Sequence, residues 1–140
     1  MIAHEIELPV PPREALDWFL EPGKLARWLC EKAEVEPRIG GRYELFWDPA
    51  RPDVNSTLGC RVLEYEPGKI LKVSWAGNEE QLEFMEPGST TVAVSVETVG
   101  SGCRLRLEHH GFGGSDRWLK AERWFDTAWK NALARLTETV

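Results

Sequence analysis

Three histidines are the side chains of this sequence best suited to proton transfer, and two of them occupy segments of alternating polarity. His4 lies within residues 2–8 and His109 within residues 103–110, where every second residue on the same face is apolar. Alternation predicts that both imidazoles face inward, whereas His110 faces solvent. Inward imidazoles can move protons or bind metal ions. Because metal sites usually need a third ligand and none is evident, we predict neither a metal site nor a cofactor.

Glu64 is the acidic residue whose predicted position best suits acid–base chemistry. It follows Val62 by two residues in a predicted strand, so alternation places both on one face. A carboxylate facing an apolar pocket has a raised pKa and could act as a general acid or base. The alternative, which we favour, is a charge at the pocket rim paired with an arginine. The sequence contains no common nucleophile, zinc or phosphate-loop motif, so binding is favoured over catalysis and enzymatic activity is left open.

Seven tryptophans are the unusual feature of a chain of 140 residues. Large flat rings can fill a core or, because they leave gaps between them, line a cavity. We predict a cavity, lined by these rings together with inward-facing residues of the strands and of the last helix. The predicted ligand-binding residues are Trp28, Tyr43, Leu45, Trp47, Val62, Val73, Trp75, Val94, Leu107, His109, Phe125 and Trp129.

The elements that would position these residues follow from periodicity and turn signals. The predicted order is strand 2–8, helices 13–20 and 24–29, strands 33–36, 42–47, 59–66, 69–75, 91–99 and 103–110, and a helix from Ser115 to about residue 136. Residues 81–85 fit either a short strand or an irregular rim. In the last helix an apolar stripe includes Phe125 and Trp129. A run of strands with segregated helices indicates an α+β fold.

Composition limits the class of protein. With 42% hydrophobic and 29% charged residues, the chain is expected to form one globular domain over residues 1–140. A net charge of −6 without a basic stripe argues against nucleic-acid binding. No apolar run reaches the roughly 18 residues of a membrane span. The absence of a signal-like N-terminus and an odd number of cysteines, three, predict a cytoplasmic location.

An ordered series of segments carries a resemblance to a known family. These segments are PREALDWF at 12–19, LARWL at 25–29, EPRIGGRY at 36–43, GCRVLEYEP at 59–67, LKVSW at 71–75, LRLEHHGF at 105–112 and the tryptophan-bearing last helix. The series resembles the START-like superfamily, also called SRPBCC or birch-pollen-allergen-like. Within it, the chain resembles the branch named after the activator of heat-shock protein 90 ATPase and its homologue-like proteins.

The resemblance implies a helix-grip fold. In that fold a curved antiparallel sheet of six to seven strands wraps around the long C-terminal helix, with two short helices after the first strand and a deep cavity between sheet and helix. The first and last strands are then neighbours, so His4 and His109 could approach each other. Members of the superfamily bind lipids, sterols, polyketides or other apolar ligands, and some are enzymes.

The predicted function is binding of a small apolar or amphipathic ligand, such as a lipid or polyketide, with His109 as the main polar group of the cavity. One alternative is an enzyme of cyclase or hydrolase type that uses His109, together with His4 or Glu64. Another is a protein-interaction domain, acting as a co-chaperone or as a homodimer. Chaperone binding is not expected, because the resemblance covers nearly the whole chain and leaves no room for a separate chaperone-binding domain.

Overall fold

The computed structural model describes residues 1–86 and 88–140, which form seven strands, three α-helices and one short 3₁₀ helix. The elements are β1 (Ile2–Leu8), α1 (Pro12–Leu20), α2 (Pro22–Trp28), β2 (Lys32–Val35), β3 (Tyr43–Phe46), β4 (Val62–Glu66), β5 (Ile70–Trp75), the 3₁₀ helix (Glu79–Gln81), β6 (Thr90–Val99), β7 (Gly102–His110) and α3 (Asp116–Thr139). This order confirms the predicted α+β class.

The strands form an antiparallel sheet with the order β1-β7-β6-β5-β4, and β2 and β3 form a separate antiparallel pair. A bridge between Arg42 and Arg61 links this pair to the edge of the larger sheet, where the Val62 amide also donates to the Gly41 carbonyl at 2.9 Å. The first and last strands are neighbours, as the resemblance implied. Ile2 lies opposite His109, and His4 lies opposite Leu107.

Local signals explain where the helices begin. Pro12 and Pro22 each occupy the first turn of a helix, where the missing N–H has no intrahelical partner to lose. The second helix therefore begins at Pro22, two residues before the predicted start at residue 24. The Ser115 hydroxyl caps α3 by accepting from the Trp118 amide, as predicted. Residues 79–81 form a 3₁₀ turn capped by Asn78, so the alternative of an irregular rim describes this region better than a strand.

The core lies between the inner face of the large sheet and the three helices. Inward strand residues such as Leu105 and Leu107 are fully buried. The buried face of α3 comprises Ala121, Phe125, Trp129, Ala132, Leu133 and Leu136. Each fully buried leucine stabilises the fold by about 1.5–3 kcal/mol, so this apolar interface dominates the energetics. None of the helices in the described ranges is both long and apolar enough to cross a membrane.

Candidate functional site

A pocket of about 290 Å³ lies beside the middle of α3. Its other walls come from the end of β5 and from the loops that follow β3 and β5. The lining residues are Leu29, Trp47, Asn55, Ser56, Trp75, Ala76, Gly77, Asn78, Trp124, Phe125, Ala128, Trp129, Ala132 and Arg135. Trp47 and Trp124 are 37% and 46% exposed, so they form the mouth of the pocket. The volume is at the lower end for small-molecule sites, which begin at about 300 Å³.

Three tryptophans form the aromatic wall of the pocket. The Trp75 ring lies 5.1 Å from that of Trp129 and 6.2 Å from that of Trp47, measured between centroids. The Trp47 indole N–H donates to the Leu29 carbonyl at 2.6 Å, which fixes the orientation of this partly exposed ring. Because its polar atom is already paired, Trp47 offers the pocket an apolar surface only.

Two alanines on α3 leave the space that the pocket occupies. Ala128 and Ala132 line it between larger side chains, and positions 124, 128, 132 and 135 follow one another at helical spacing. This stripe runs beside the buried stripe of the same helix. Small residues at successive turns, flanked by Trp124 and Arg135, were the sequence signal that could have located the pocket.

His109 lies behind the aromatic wall and does not line the pocket. Its side chain is fully buried among Trp75, Phe112, Phe125 and Trp129. The Trp129 indole N–H donates to Nδ1 at 3.1 Å. An indole nitrogen can only donate, so Nδ1 carries no proton and the proton lies on Nε2. Nε2 then donates to the Thr90 hydroxyl oxygen at 2.9 Å.

Burial lowers the pKa of His109 to about 3, with small further contributions from the charges of His110 and the N-terminus. The low-dielectric surroundings disfavour the imidazolium, and the indole donor occupies the nitrogen that would take up the proton. His109 is therefore neutral near pH 7. With both ring nitrogens hydrogen-bonded, it orients Trp129 rather than contacting a molecule in the pocket.

Neither of the other candidate acid–base residues, His4 and Glu64, forms a hydrogen bond with His109. His4 pairs with Asp126 of α3 through a contact of 2.8 Å between Nε2 and Oδ1. Glu64 is exposed, because a register shift after Val62 interrupts the alternation of β4; the expectation that these two residues share a face was wrong. Among the residues that the structure describes, no group of three or more His, Cys, Asp or Glu side chains could hold a metal ion.

The three cysteines are buried thiols. Burial raises the pKa of the Cys30 thiol to about 12, and burial also raises the pKa values of Cys60 and Cys103. All three are therefore protonated at neutral pH, and a protonated thiol is a poor nucleophile.

The predicted ligand-binding residues divide into two groups. Trp47, Trp75, Phe125 and Trp129 line the pocket. The other eight pack in the interior and do not line it; they are Trp28, Tyr43, Leu45, Val62, Val73, Val94, Leu107 and His109. Each of these eight residues is at most 4% exposed, so neighbouring groups surround its side chain. Ligand contact by the first four stays a prediction.

Thr57 positions the polar side of the pocket and was not singled out from the sequence. Its buried hydroxyl accepts from the Leu45 amide at 2.8 Å and donates to the Tyr43 carbonyl at 2.8 Å. These bonds attach the loop after β3 to that strand. Asn55 and Ser56, just before Thr57, are thereby held in the pocket wall. The Tyr43 hydroxyl in turn donates to the Phe19 carbonyl at 2.7 Å.

Solved structures of bacterial proteins have the same fold. One from Mesorhizobium loti superposes with a TM-score of 0.77 at 22% identity, over 98% of this chain and 93% of that chain. An AHSA1-like protein from Rhizobium etli has a TM-score of 0.66 at 29% identity, over 98% of this chain and 79% of that chain. The Aha1 dimer from Colwellia psychrerythraea has a TM-score of 0.73 at 18% identity, over 98% of this chain and 92% of that chain. No curated protein sequence matches the chain.

The sequence itself matches one family over residues 9–140, which span every element from α1 to α3. The description of that family is Activator of Hsp90 ATPase homolog 1-like protein, abbreviated AHSA1. The match agrees with the structural neighbours and confirms the resemblance to this branch of the START-like superfamily. The chain therefore belongs to the AHSA1-like family.

Proposed function

We propose that this protein binds a small apolar or amphipathic molecule in the pocket beside α3. The observation that carries the proposal is a pocket with aromatic and alanine walls whose mouth is formed by two partly exposed tryptophans, Trp47 and Trp124. Exposed indole rings at the edge of a concave apolar surface are typical of ligand sites rather than of finished cores.

The energetics favour a modest affinity. Each 100 Å² of apolar surface removed from water contributes about 2.5 kcal/mol. A flat molecule against the exposed rings of Trp47 and Trp124 would cover surface on both partners. Association opposes this gain by several kcal/mol of lost translational and rotational freedom. A ligand of a size that fits about 290 Å³ is therefore expected to bind with a dissociation constant in the micromolar range.

Catalysis through His109 is less well supported than binding. Trp129 and Thr90 occupy its two ring nitrogens, and its neutral form is the stable one at pH 7. A general acid or base needs an atom within hydrogen-bond reach of the substrate, which this imidazole lacks behind the aromatic wall.

Filling the pocket from α3 tests the proposal. Ala128→Phe places a ring in the space beside Trp124 and Trp129, and it should weaken binding of an apolar probe at least tenfold. The measurement is quenching or enhancement of tryptophan fluorescence on titration, supported by native mass spectrometry of the freshly purified protein for bound small molecules.

Ala134→Phe is the matched control, because Ala134 lies on the same helix but is exposed and outside the pocket. It should bind the probe like the unmodified protein. Equal binding by Ala128→Phe and Ala134→Phe would place the probe elsewhere and overturn the proposal.

A further inference from the structure

We infer that the ligand of this pocket carries a carboxylate or similar anionic group that Arg135 binds. This inference rests on the proposed function and specifies its ligand class. Arg135 is the only charged residue among the described lining residues, and no acidic side chain lines the pocket. A single positive charge therefore faces an otherwise neutral pocket, in a chain with a net charge of −6.

The Arg135 guanidinium is held in place without being neutralised. Its Nε donates to the Trp28 carbonyl at 3.1 Å, which anchors the planar group against the end of α2. No carboxylate of residues 1–86 or 88–140 lies within 4 Å of it. Within the described ranges six arginines form ion pairs, namely Arg38, Arg42, Arg51, Arg104, Arg106 and Arg117, whereas Arg13, Arg27, Arg61 and Arg123 form none there but do not line the pocket. The two terminal nitrogens of Arg135 remain available as donors.

The other polar side chains of the pocket also present donors. The Asn55 Oδ1 accepts from the Glu79 amide, and the Asn78 Oδ1 accepts from the Glu80 amide. Because backbone amides only donate, the orientation of both side-chain amides is fixed, and each leaves its NH₂ group for another partner. The Ser56 hydroxyl already donates to the Pro52 carbonyl. The side-chain hydrogen-bonding capacity left at the pocket is therefore weighted towards donors.

Hydrogen-bond donors without partners favour a ligand that carries hydrogen-bond acceptors. A carboxylate is an acceptor only, and its two oxygens match the fork of a guanidinium, which strengthens the hydrogen bonds through charge. The remaining walls are aromatic rings and alanines, so the rest of the molecule is apolar. The ligand is therefore a small aromatic or alicyclic acid, with its ring against the exposed indoles of Trp47 and Trp124 and its anionic end at Arg135.

A matched pair of probes tests this inference. 2-Naphthoate and 2-naphthamide have nearly the same shape and differ in charge. At pH 7 and low salt, the protein should bind naphthoate about tenfold more tightly than naphthamide. Arg135→Gln should abolish that preference by weakening naphthoate binding alone, and Arg135→Lys should retain part of it. Added salt should weaken only naphthoate binding.

Arg123→Gln is the control for net charge, since Arg123 is exposed on α3 and does not line the pocket. It should leave both affinities unchanged. Equal binding of the two probes, unaffected by Arg135→Gln but weakened by Ala128→Phe, would overturn the inference and leave the proposed function intact. Failure of both probes to bind at millimolar concentration, or binding that Ala128→Phe does not weaken, would overturn both.

Discussion

Acidification from pH 6.5 to pH 3 is expected to remove on the order of 4 kcal/mol of folding stability through His109 alone. The ordinary pKa of 6.5 applies to the unfolded chain, and burial lowers the folded value to about 3. Between these values the unfolded state binds a proton that the folded state does not. The contribution of His109 to the free energy of unfolding is therefore fully present above pH 6.5. Below that pH it falls by up to about 1.4 kcal/mol per pH unit.

The size of this effect follows from the surroundings of the imidazole. Protonation at Nδ1 would remove the acceptor of the Trp129 indole and place a charge among the rings of Phe112 and Phe125. Both changes oppose the charged form, so unfolding is the easier way for the chain to take up the proton. The aromatic wall of the pocket should be lost in the same transition, because Trp129 belongs to both.

Urea unfolding at a series of pH values measures this contribution. His109→Gln keeps an amide donor and acceptor but has no titratable proton, so its stability should decline much less steeply between pH 6.5 and 4. His110→Gln is the matched control, because the neighbouring His110 is substantially exposed and its charge contributes less than burial to the low pKa of His109; its profile should stay much closer to that of the unmodified protein than the profile of His109→Gln does. If His109→Gln and the unmodified protein lost stability in parallel over this range, the low pKa of His109 would be refuted.

Alternation predicts which face of the sheet carries His109, but it does not predict the hydrogen-bond partners of the imidazole. Every second residue of β7 is buried, as the pattern required. Thr90 and Trp129 lie 19 and 20 residues away in sequence, on two different elements, and only the pairing of β6 with β7 and the docking of α3 bring them together. Local periodicity carries no information about such distant partners.

Glu64 shows where a prediction from the alternation of strand faces fails. Alternation assumes uninterrupted pairing, whereas β4 shifts register between Val62 and Glu64 and thereby changes the face of every later residue. A bulge of this kind depends on the facing strand and on the loop beside it. Residues 60–66 contain no glycine or proline that would have marked the shift.

The location of the pocket was the least predictable feature. Periodicity shows which residues face inward, but whether inward residues meet a neighbour or a gap depends on how closely the elements approach. Leu45 and Leu107 meet packed side chains and are fully buried, whereas Trp75 and Phe125 reach the edge of the pocket. Ala128 beside these rings was the informative residue, because a small side chain between large ones leaves space in a close-packed interior.

Thr57→Val is expected to destabilise the fold by about 2–3 kcal/mol although it changes almost no volume. The valine has nearly the shape of threonine, so no cavity forms. It removes the hydroxyl that accepts from the Leu45 amide and donates to the Tyr43 carbonyl, and both groups lie in a buried part of β3. A buried backbone group that loses its partner costs about 1–3 kcal/mol. The measurement is the free energy of unfolding in urea.

The Thr57→Ser variant separates the contribution of the hydroxyl group from that of the methyl group. It retains both hydrogen bonds and loses only packing, which should cost about 1 kcal/mol. Hydrogen exchange of the Leu45 amide should accelerate strongly in Thr57→Val and little in Thr57→Ser, since only the valine leaves that amide without its acceptor. The loop that carries Asn55 and Ser56 would lose its two side-chain bonds to β3 and keep the backbone bonds from Thr57 to Leu45 and from Trp47 to Asn55, so probe affinity should fall modestly in the valine variant. Equal stability and equal exchange in the two variants would show that the hydroxyl does not hold this wall of the pocket.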